Sequence, residues 1–280
     1  LKGLKLLSGF SMGSNSPTYV PHYFLIQLPE FWSIFLFGGL VVLIYNRNKH
    51  WKTLQILLAR KKSSDQLADL QKALQLWIIP FSILFPVCMA IIKRTLLYDG
   101  ARHFLFILPP LAILTGATLG KLLDLCHTIL PQKIYRGLYG GLALCLVFHI
   151  TTMWQLHPYE YIYYNNFIGS VAGASASHYP SDYWLTSYRE AINRLIVQMK
   201  TTYGPDFDNI TFRIFVSHHP ECATLFFPKN FILSSRFDDS DFRLISSRDG
   251  KNTMIPGDSI FKIERQGAVL AEVKRNINLR

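Results

Sequence analysis

The first half of the chain alternates between long apolar runs and shorter polar segments. Each apolar run approaches the roughly 20 residues that a helix needs to cross a hydrocarbon core of about 30 Å. The pattern therefore predicts four membrane-spanning helices, near residues 23–45, 74–92, 104–123 and 137–156. Prolines within these runs are compatible with spanning helices, because neighbouring helices satisfy the backbone groups that proline leaves without a partner.

Basic residues in the connecting segments orient the predicted spans. The connection between the first two spans, Arg47–Lys72, carries seven Lys or Arg residues, and three more, Lys121, Lys133 and Arg136, lie from the end of the third span to the start of the fourth. Short connections rich in Lys and Arg favour the cytoplasmic side of a membrane. We therefore expect the loop of residues 1–22, the segment Lys93–His103 and residues 157–280 to lie on the extracytoplasmic side.

The period of the apolar pattern changes after residue 156. Apolar and polar residues alternate from Ile210 to Val216, which predicts a strand with one buried face, and Tyr188–Lys200 has the pattern of an amphipathic helix. Further short strands are expected at Phe231–Leu233, Phe242–Ser246, Ser259–Glu264 and Val269–Lys274. The predicted fold class is an α-helical polytopic membrane domain, residues 23–156, followed by a small α/β or α+β extracytoplasmic domain, residues 157–280.

The composition supports a membrane protein. Half of the residues are hydrophobic and 17% are charged, whereas soluble domains carry about a quarter charged residues. The net charge of +11 is explained by basic connections beside anionic lipid headgroups, so we expect membrane lipids and no nucleic acid as partners. The chain begins at Leu1 without a recognisable signal peptide, and we expect it to be a fragment of a longer protein.

Several familiar chemistries lack their sequence patterns. The four cysteines form no disulfide framework and no Cys-x-x-Cys pair, and no Walker A or His-Glu-x-x-His motif is present. His218 and His219 are adjacent, and adjacent residues of a strand point to opposite faces of the sheet. We therefore expect no metal site and no cofactor in this chain.

Charged residues cluster between the second and third predicted spans. Lys93, Arg94 and Arg102 are suited to a lipid-linked phosphate at headgroup level, and Asp99 is suited to orient an arginine, position a hydroxyl or act as a base. A structural alternative is that Lys93 and Arg94 extend to the interface while Asp99 pairs with Arg102. His103 has either a role in this site or a structural one.

A second group of candidate residues follows the last predicted span. His157 and Tyr159 belong to an aromatic segment of the kind enriched at bilayer interfaces, and Asp182 and Trp184 follow a turn of small residues. Aromatic faces stack on sugar rings and carboxylates accept sugar hydroxyls, so this group resembles a sugar-binding arrangement. Ordinary packing of the soluble domain is the alternative.

Together these segments resemble a known family. The combination is similar to the C-terminal half of a membrane glycosyltransferase of the family 39 type, related to dolichyl-phosphate-mannose protein mannosyltransferases. The segments that carry the resemblance are Pro17–Phe24, Tyr98–Phe106 with Pro109-Pro110, His157–Tyr161, Tyr164-Asn165 and Asp182–Trp184. The resemblance covers the membrane portion and the beginning of the following domain.

The resemblance implies an enzyme of the GT-C architecture. Such an enzyme moves a sugar from a polyprenyl phosphate donor to an acceptor on the extracytoplasmic face, with inversion at the anomeric carbon. The family's catalytic carboxylates lie in a loop upstream of Leu1, so the catalytic residue here is unknown and Asp99 is a possible contributor. Lys93, Arg94 and Arg102 would bind the donor phosphate. The cavity would be lined by Tyr98, His103, His157, Tyr159, Asp182 and Trp184.

The partners expected from this interpretation are the lipid-linked donor and an acceptor that is a protein, a lipid or a glycan. A bacterial inner membrane is the expected location. Half of a transporter or flippase is an alternative, because broken helices with buried charge also mark transport sites. A non-catalytic membrane subunit with a binding domain is a further alternative.

Overall fold

The structure, a computed structural model, describes residues 16–35, 38, 64–248 and 254–276. These residues divide into two units, one within Gly13–Thr151 and the other within Thr152–Arg280.

The first unit is helical. Its helices are α1 (Tyr19–Gln27), α2 (Ser64–Ile92), a 3-10 helix (Arg102–Ile107), α3 (Leu108–Ile129) and α4 (Gln132–Leu156), the last of which ends in the second unit. Leu108 directly continues the 3-10 helix, and Pro109 follows in the first turn of α3, where the missing N–H of proline has no helical partner to lose.

The predicted fold class, four membrane-spanning helices followed by a small domain, is wrong. In the part of the chain that the structure describes, two helices are long and apolar enough to cross a membrane, Arg102–Ile129 and Gln132–Leu156. The second predicted span, residues 74–92, corresponds to a shorter apolar stretch of α2, Trp77–Ile92. This stretch is shorter than the roughly 17 to 25 residues of a membrane-spanning helix, unlike the other two helices.

The first predicted span, residues 23–45, is interrupted near its beginning. Helix α1 ends at Gln27, and Leu28 has extended backbone angles (φ −90°, ψ 149°). Pro29 enforces this break, because the proline ring disfavours a helical conformation of the preceding residue. Helical residues resume at 30–35, and most of the rest of the predicted span lies outside the described residues, as does most of the basic connection Arg47–Lys72.

The second unit contains a five-stranded mixed sheet of order β2-β1-β3-β5-β4. Its strands overlap the five predicted ones and are β1 (Phe212–Val216), β2 (Phe231–Ser234), β3 (Phe242–Ser246), β4 (Asp258–Arg265) and β5 (Ala268–Arg275). Strand β1 is parallel to β2 and β3, whereas β5 is antiparallel to β3 and β4. The helices of this unit are α5 (Ser170–Ala176), α6 (Ser187–Tyr203) and α7 (Pro220–Thr224), with 3-10 helices at Glu160–Ile162, Asn166–Ile168 and Gly204–Asn209.

Helix α6 overlaps the predicted amphipathic helix and forms much of the core of this unit. Ala191, Ile192 and Leu195 are fully buried and belong to the same cluster as Ile214 and Leu270 of the sheet. Residues at helical spacing on one face of α6 thus cover the sheet. The opposite face remains available for other contacts.

Candidate functional site

The predicted polar segment of the first unit forms a tight turn with an internal ion pair. Asp99 is buried, and its Oδ2 lies 3.3 Å from Nη1 of Arg102. The guanidinium carbon of Arg102 lies 4.3 Å from the ring centroid of Tyr98, and the ring of His103 meets the same tyrosine edge-on at 4.8 Å. The structure therefore brings together four of the predicted site residues.

Side chains from α1 hold this turn. The amide of Gly100 donates to the hydroxyl of Tyr19 at 3.0 Å, and that hydroxyl donates to the carbonyl of Gly100 at 3.3 Å. The amide of Ala101 donates to Oε1 of Gln27 at 2.8 Å. Burial raises the pKa of Tyr19 to about 12, which keeps the phenol neutral and able to donate. The sequence analysis missed Tyr19 and Gln27, although a glutamine within an apolar run is a signal of a buried polar partner.

The backbone of the turn requires a glycine. Asp99 and Gly100 have φ values of 55° and 78°, in the left-handed region. A Cβ atom on Gly100 would lie 2.7 Å from Oε1 of Gln27, closer than real contacts allow. The position therefore disfavours a side chain by conformation, and a Cβ atom there would also displace the Gln27 amide group that accepts from Ala101.

Lys93 and Arg94 lie before this turn, just after the end of α2. Both are exposed, and Arg94 has a φ of 48°. Arg94 lines a cavity of about 440 Å³ together with Ser16, Pro17 and Ile91. The two residues are thus accessible to an anion, but neither takes part in the interactions of the Asp99–Arg102 pair given above.

An apolar cavity of about 190 Å³ lies between α1, α2 and α3. Its lining includes Phe24, Leu28, Ile83, Val87 and Leu111. A site of this kind accommodates a hydrocarbon group, because its walls offer almost no polar partner.

In the second unit, Tyr159 forms a network with a charged pair. Tyr159 is buried and donates to Oε2 of Glu190 at 2.7 Å. Nη2 of Arg265 lies 2.8 Å from the same oxygen, and its guanidinium carbon lies 4.7 Å from the centroid of the Tyr159 ring. Burial first, and the hydrogen bond to Glu190 second, raise the pKa of Tyr159. His157 contacts this network through its backbone, because its carbonyl accepts a hydrogen bond from Nε of Arg265 at 3.2 Å. Its imidazole is exposed and has Nδ1 2.7 Å from Oε1 of Glu160.

Asp182 is fully buried and serves the start of α6. Its carboxylate accepts hydrogen bonds from the Tyr161 hydroxyl, from the amides of Thr186 (3.1 Å) and Ser187 (3.3 Å), and from the hydroxyls of the same two residues. It thus satisfies amides that a helix leaves without a partner in its first turn. Burial raises the pKa of Asp182, against the effect of the hydrogen bonds from Ser187 and Tyr161.

Three aromatic rings cluster beside Asp182. Tyr161 lies 5.1 Å from Tyr183 and 5.2 Å from Trp184, and the latter two are 5.3 Å apart, measured between ring centroids. Trp184 is 52% exposed. The two predicted sugar-binding residues therefore differ in accessibility: Trp184 is half exposed to solvent, whereas Asp182 has its oxygens engaged within the chain.

The described residues contain no group of three or more His, Cys, Asp or Glu side chains arranged to hold a metal ion. His218 bonds to the Ser217 carbonyl and His219 to Glu221, each through Nδ1. No protein-family model matches this chain, and neither the curated proteins nor the solved structures include one that is similar to it.

Proposed function

We propose that the chain is part of a membrane glycosyltransferase that uses a polyprenyl phosphate sugar as donor. The observation that carries the proposal is the Asp99–Arg102 pair, held on a rigid turn at the beginning of an apolar helix long enough to span a membrane. Lys93, Arg94 and Arg102 bind the donor phosphate in this proposal. The acceptor is a protein, a lipid or a glycan.

The physical cost of the ion pair supports a functional role. Burial of two charges costs hydration free energy, and their mutual attraction offsets this cost only in part. A buried ion pair is therefore weak evidence for stability. Charged groups near the hydrocarbon region also cluster at sites of binding or transport. Arg102 is 20% exposed on its side chain, so its planar fork of donors is accessible to a phosphate while Asp99 fixes its orientation.

The reaction assigns a task to each group. The bond between the sugar C1 and the phosphate oxygen breaks, a bond from an acceptor oxygen to C1 forms on the opposite face, and the acceptor proton passes to a base. Negative charge grows on the departing phosphate, and a preorganised guanidinium stabilises it. Because Asp99 is engaged by Arg102, we assign it to orienting this arginine.

The apolar cavity between α1, α2 and α3 supports a lipid-linked donor, since it accommodates part of a prenyl chain in the same unit as the cationic residues. We place the protein in a bacterial inner membrane with the unit within Thr152–Arg280 on the extracytoplasmic side. Lys133 and Arg136, beside the connection between the two candidate spans, favour the cytoplasmic side and support this orientation.

The test uses the full-length protein in lipid nanodiscs with a radiolabelled polyprenyl phosphate hexose. Arg94→Ala and Arg102→Ala should each lower turnover by about tenfold or more, as expected for loss of a charged hydrogen bond of roughly 1.5 to 3 kcal/mol. Arg136→Ala, a basic position at the opposite end of the apolar helices, is the control and should retain turnover. Unchanged turnover and donor affinity in both variants would contradict the proposal.

A further inference from the structure

A groove of about 680 Å³ runs along α6 in the second unit. One wall is the α6 face from Thr186 to Gln198, a length of about 18 Å at the helical rise per residue. Phe261 of strand β4 lies in the other wall, and Tyr159 lines one part of the groove. We call this feature the α6–β4 groove. It is distinct from the turn that carries the proposed sugar transfer.

Strand β4 lies at the edge of the sheet. Of the strands that the structure describes, only β5 pairs with it. Pairing with β5 is regular from Phe261 to Ile263, and the register shifts on either side of this segment. An edge strand presents main-chain donors and acceptors to whatever lies beside it.

Arg194 shows which of these groups face the groove. Its Nη1 lies 3.4 Å from the carbonyl oxygen of Lys262, so that carbonyl points from the free edge of β4 toward α6. In an antiparallel pair the N–H and C=O of one residue point in the same direction, so the amide of Lys262 faces the groove as well. At 3.4 Å the guanidinium bond is long for a hydrogen bond and therefore readily replaced.

The charge of the groove is positive. Arg189 and Arg194 line it and are exposed. The lining carboxylate of Glu190 lies 2.8 Å from Nη2 of Arg265 and 3.8 Å from Nε of Arg194, so the groove and its border hold three arginines and one carboxylate. Val197 adds an apolar side chain that is 65% exposed. The walls thus combine an edge strand, an excess of arginine over carboxylate and apolar contacts, which complement an extended segment that carries acidic and apolar side chains.

We propose that the α6–β4 groove binds an acidic peptide segment that adds to β4 as a further strand. On binding, a peptide N–H donates a hydrogen bond to the carbonyl of Lys262, and the amide of Lys262 donates one to a peptide carbonyl. Arg194 leaves the Lys262 carbonyl and pairs with a peptide carboxylate. Alternate peptide side chains contact Val197 and Phe261. Strand addition of this kind takes its affinity from main-chain hydrogen bonds and its specificity from the side chains along the groove.

The probe is a fluorescein-labelled peptide of about six residues with alternating Val and Glu, a length that matches the groove at about 3.3 Å per residue. Binding is measured by anisotropy to the full chain in nanodiscs of neutral lipid. We expect the same peptide with lysine in place of glutamate to bind at least about tenfold more weakly. N-methylation of alternate peptide amides, which removes the main-chain donors, should weaken binding to a similar extent.

Variants and hydrogen exchange locate the site. Arg194→Gln should weaken binding by about tenfold, whereas Arg213→Gln, an exposed arginine on β1 outside the groove lining, should not. The peptide should slow amide exchange in fragments that contain Lys262. Equal affinity for the two peptides, loss of binding in both variants or unchanged exchange in β4 would overturn the proposal. So would Arg194-dependent binding of phosphatidylglycerol vesicles without binding of the peptide, which would assign the groove to lipid headgroups.

Discussion

The hydroxyl group of Tyr19 accepts a hydrogen bond from the amide of Gly100 at 3.0 Å and donates one to the carbonyl of Gly100 at 3.3 Å. One phenol on α1 therefore satisfies both main-chain polar groups of a buried glycine, and through it fixes the turn that presents Asp99 and Arg102. These two hydrogen bonds depend on the hydroxyl alone. The ring makes a separate contact, with the ring of Tyr23 at 4.5 Å between centroids.

Replacement of Tyr19 by phenylalanine should therefore destabilise the first unit. Tyr19→Phe keeps the ring and leaves the amide and carbonyl of Gly100 buried without their partner, a loss of about 1 to 3 kcal/mol. Thermal unfolding in detergent measures the change. Tyr139→Phe is the control, because Tyr139 is half exposed and its hydroxyl shares a solvent-exposed hydrogen bond with that of Tyr135. Equal melting temperatures for both variants would show that the Tyr19 hydroxyl does not hold the turn.

A methyl group on Gly100 should also destabilise the turn. Gly100→Ala places a non-glycine residue at a φ of 78° and a Cβ atom 2.7 Å from Oε1 of Gln27. Backbone strain at such positions costs about 1 to 3 kcal/mol, and the Gln27 side chain would have to move away from its hydrogen bond with Ala101. We expect a clear fall in melting temperature together with loss of donor turnover.

The matched control is Gly116→Ala within α3. A Cβ atom at Gly116 meets nothing within 4 Å, and alanine is the better helix former by about 0.5 to 1 kcal/mol. This variant should be as stable as the parent or more so. A Gly100→Ala protein that matches the Gly116→Ala protein in stability would refute the requirement for glycine in the turn.

Local sequence patterns predicted the sheet but not the contacts that build the candidate site. Alternation and turn residues are properties of neighbouring positions, so the five strands could be placed. The contact of Tyr19 with Gly100 joins residues distant in sequence and leaves no periodic trace. Hydropathy also overestimated the number of spans, because a sum over residues 23–45 does not register that Pro29 ends helix α1. Asp182 was expected at a sugar because a carboxylate near aromatic residues does not reveal whether backbone amides already occupy it.

The pair formed by Glu190 and Arg265 should stabilise the second unit only modestly. Their side chains are 27% and 21% exposed, so solvent screens the attraction. Glu190→Gln removes the ion pair and weakens the bond from Tyr159, and we expect a loss of about 1 kcal/mol in denaturant unfolding. Glu221→Gln, an exposed carboxylate beside His219, is the control and should have no effect. A loss in Glu221→Gln as large as that in Glu190→Gln would argue against the network.

The buried carboxyl group of Asp182 should make the stability of the second unit depend on pH. Its pKa is raised by burial above the ordinary aspartate value of about 3.9, so between that value and the raised pKa the folded chain holds more protons than the unfolded chain. The free energy of unfolding therefore contains a contribution that is fully present below about pH 4 and is lost as the pH rises through the raised pKa.

Other carboxylates titrate in the same range, so the measurement is the difference in unfolding free energy between the parent and Asp182→Asn, which cannot titrate. We expect the parent to lose unfolding free energy relative to Asp182→Asn as the pH rises. Asp239→Asn, whose carboxylate is 61% exposed beside Arg236, should instead run parallel to the parent. A parent that gains stability relative to Asp182→Asn over this range would show that the hydrogen bonds from Ser187 and Tyr161 outweigh burial.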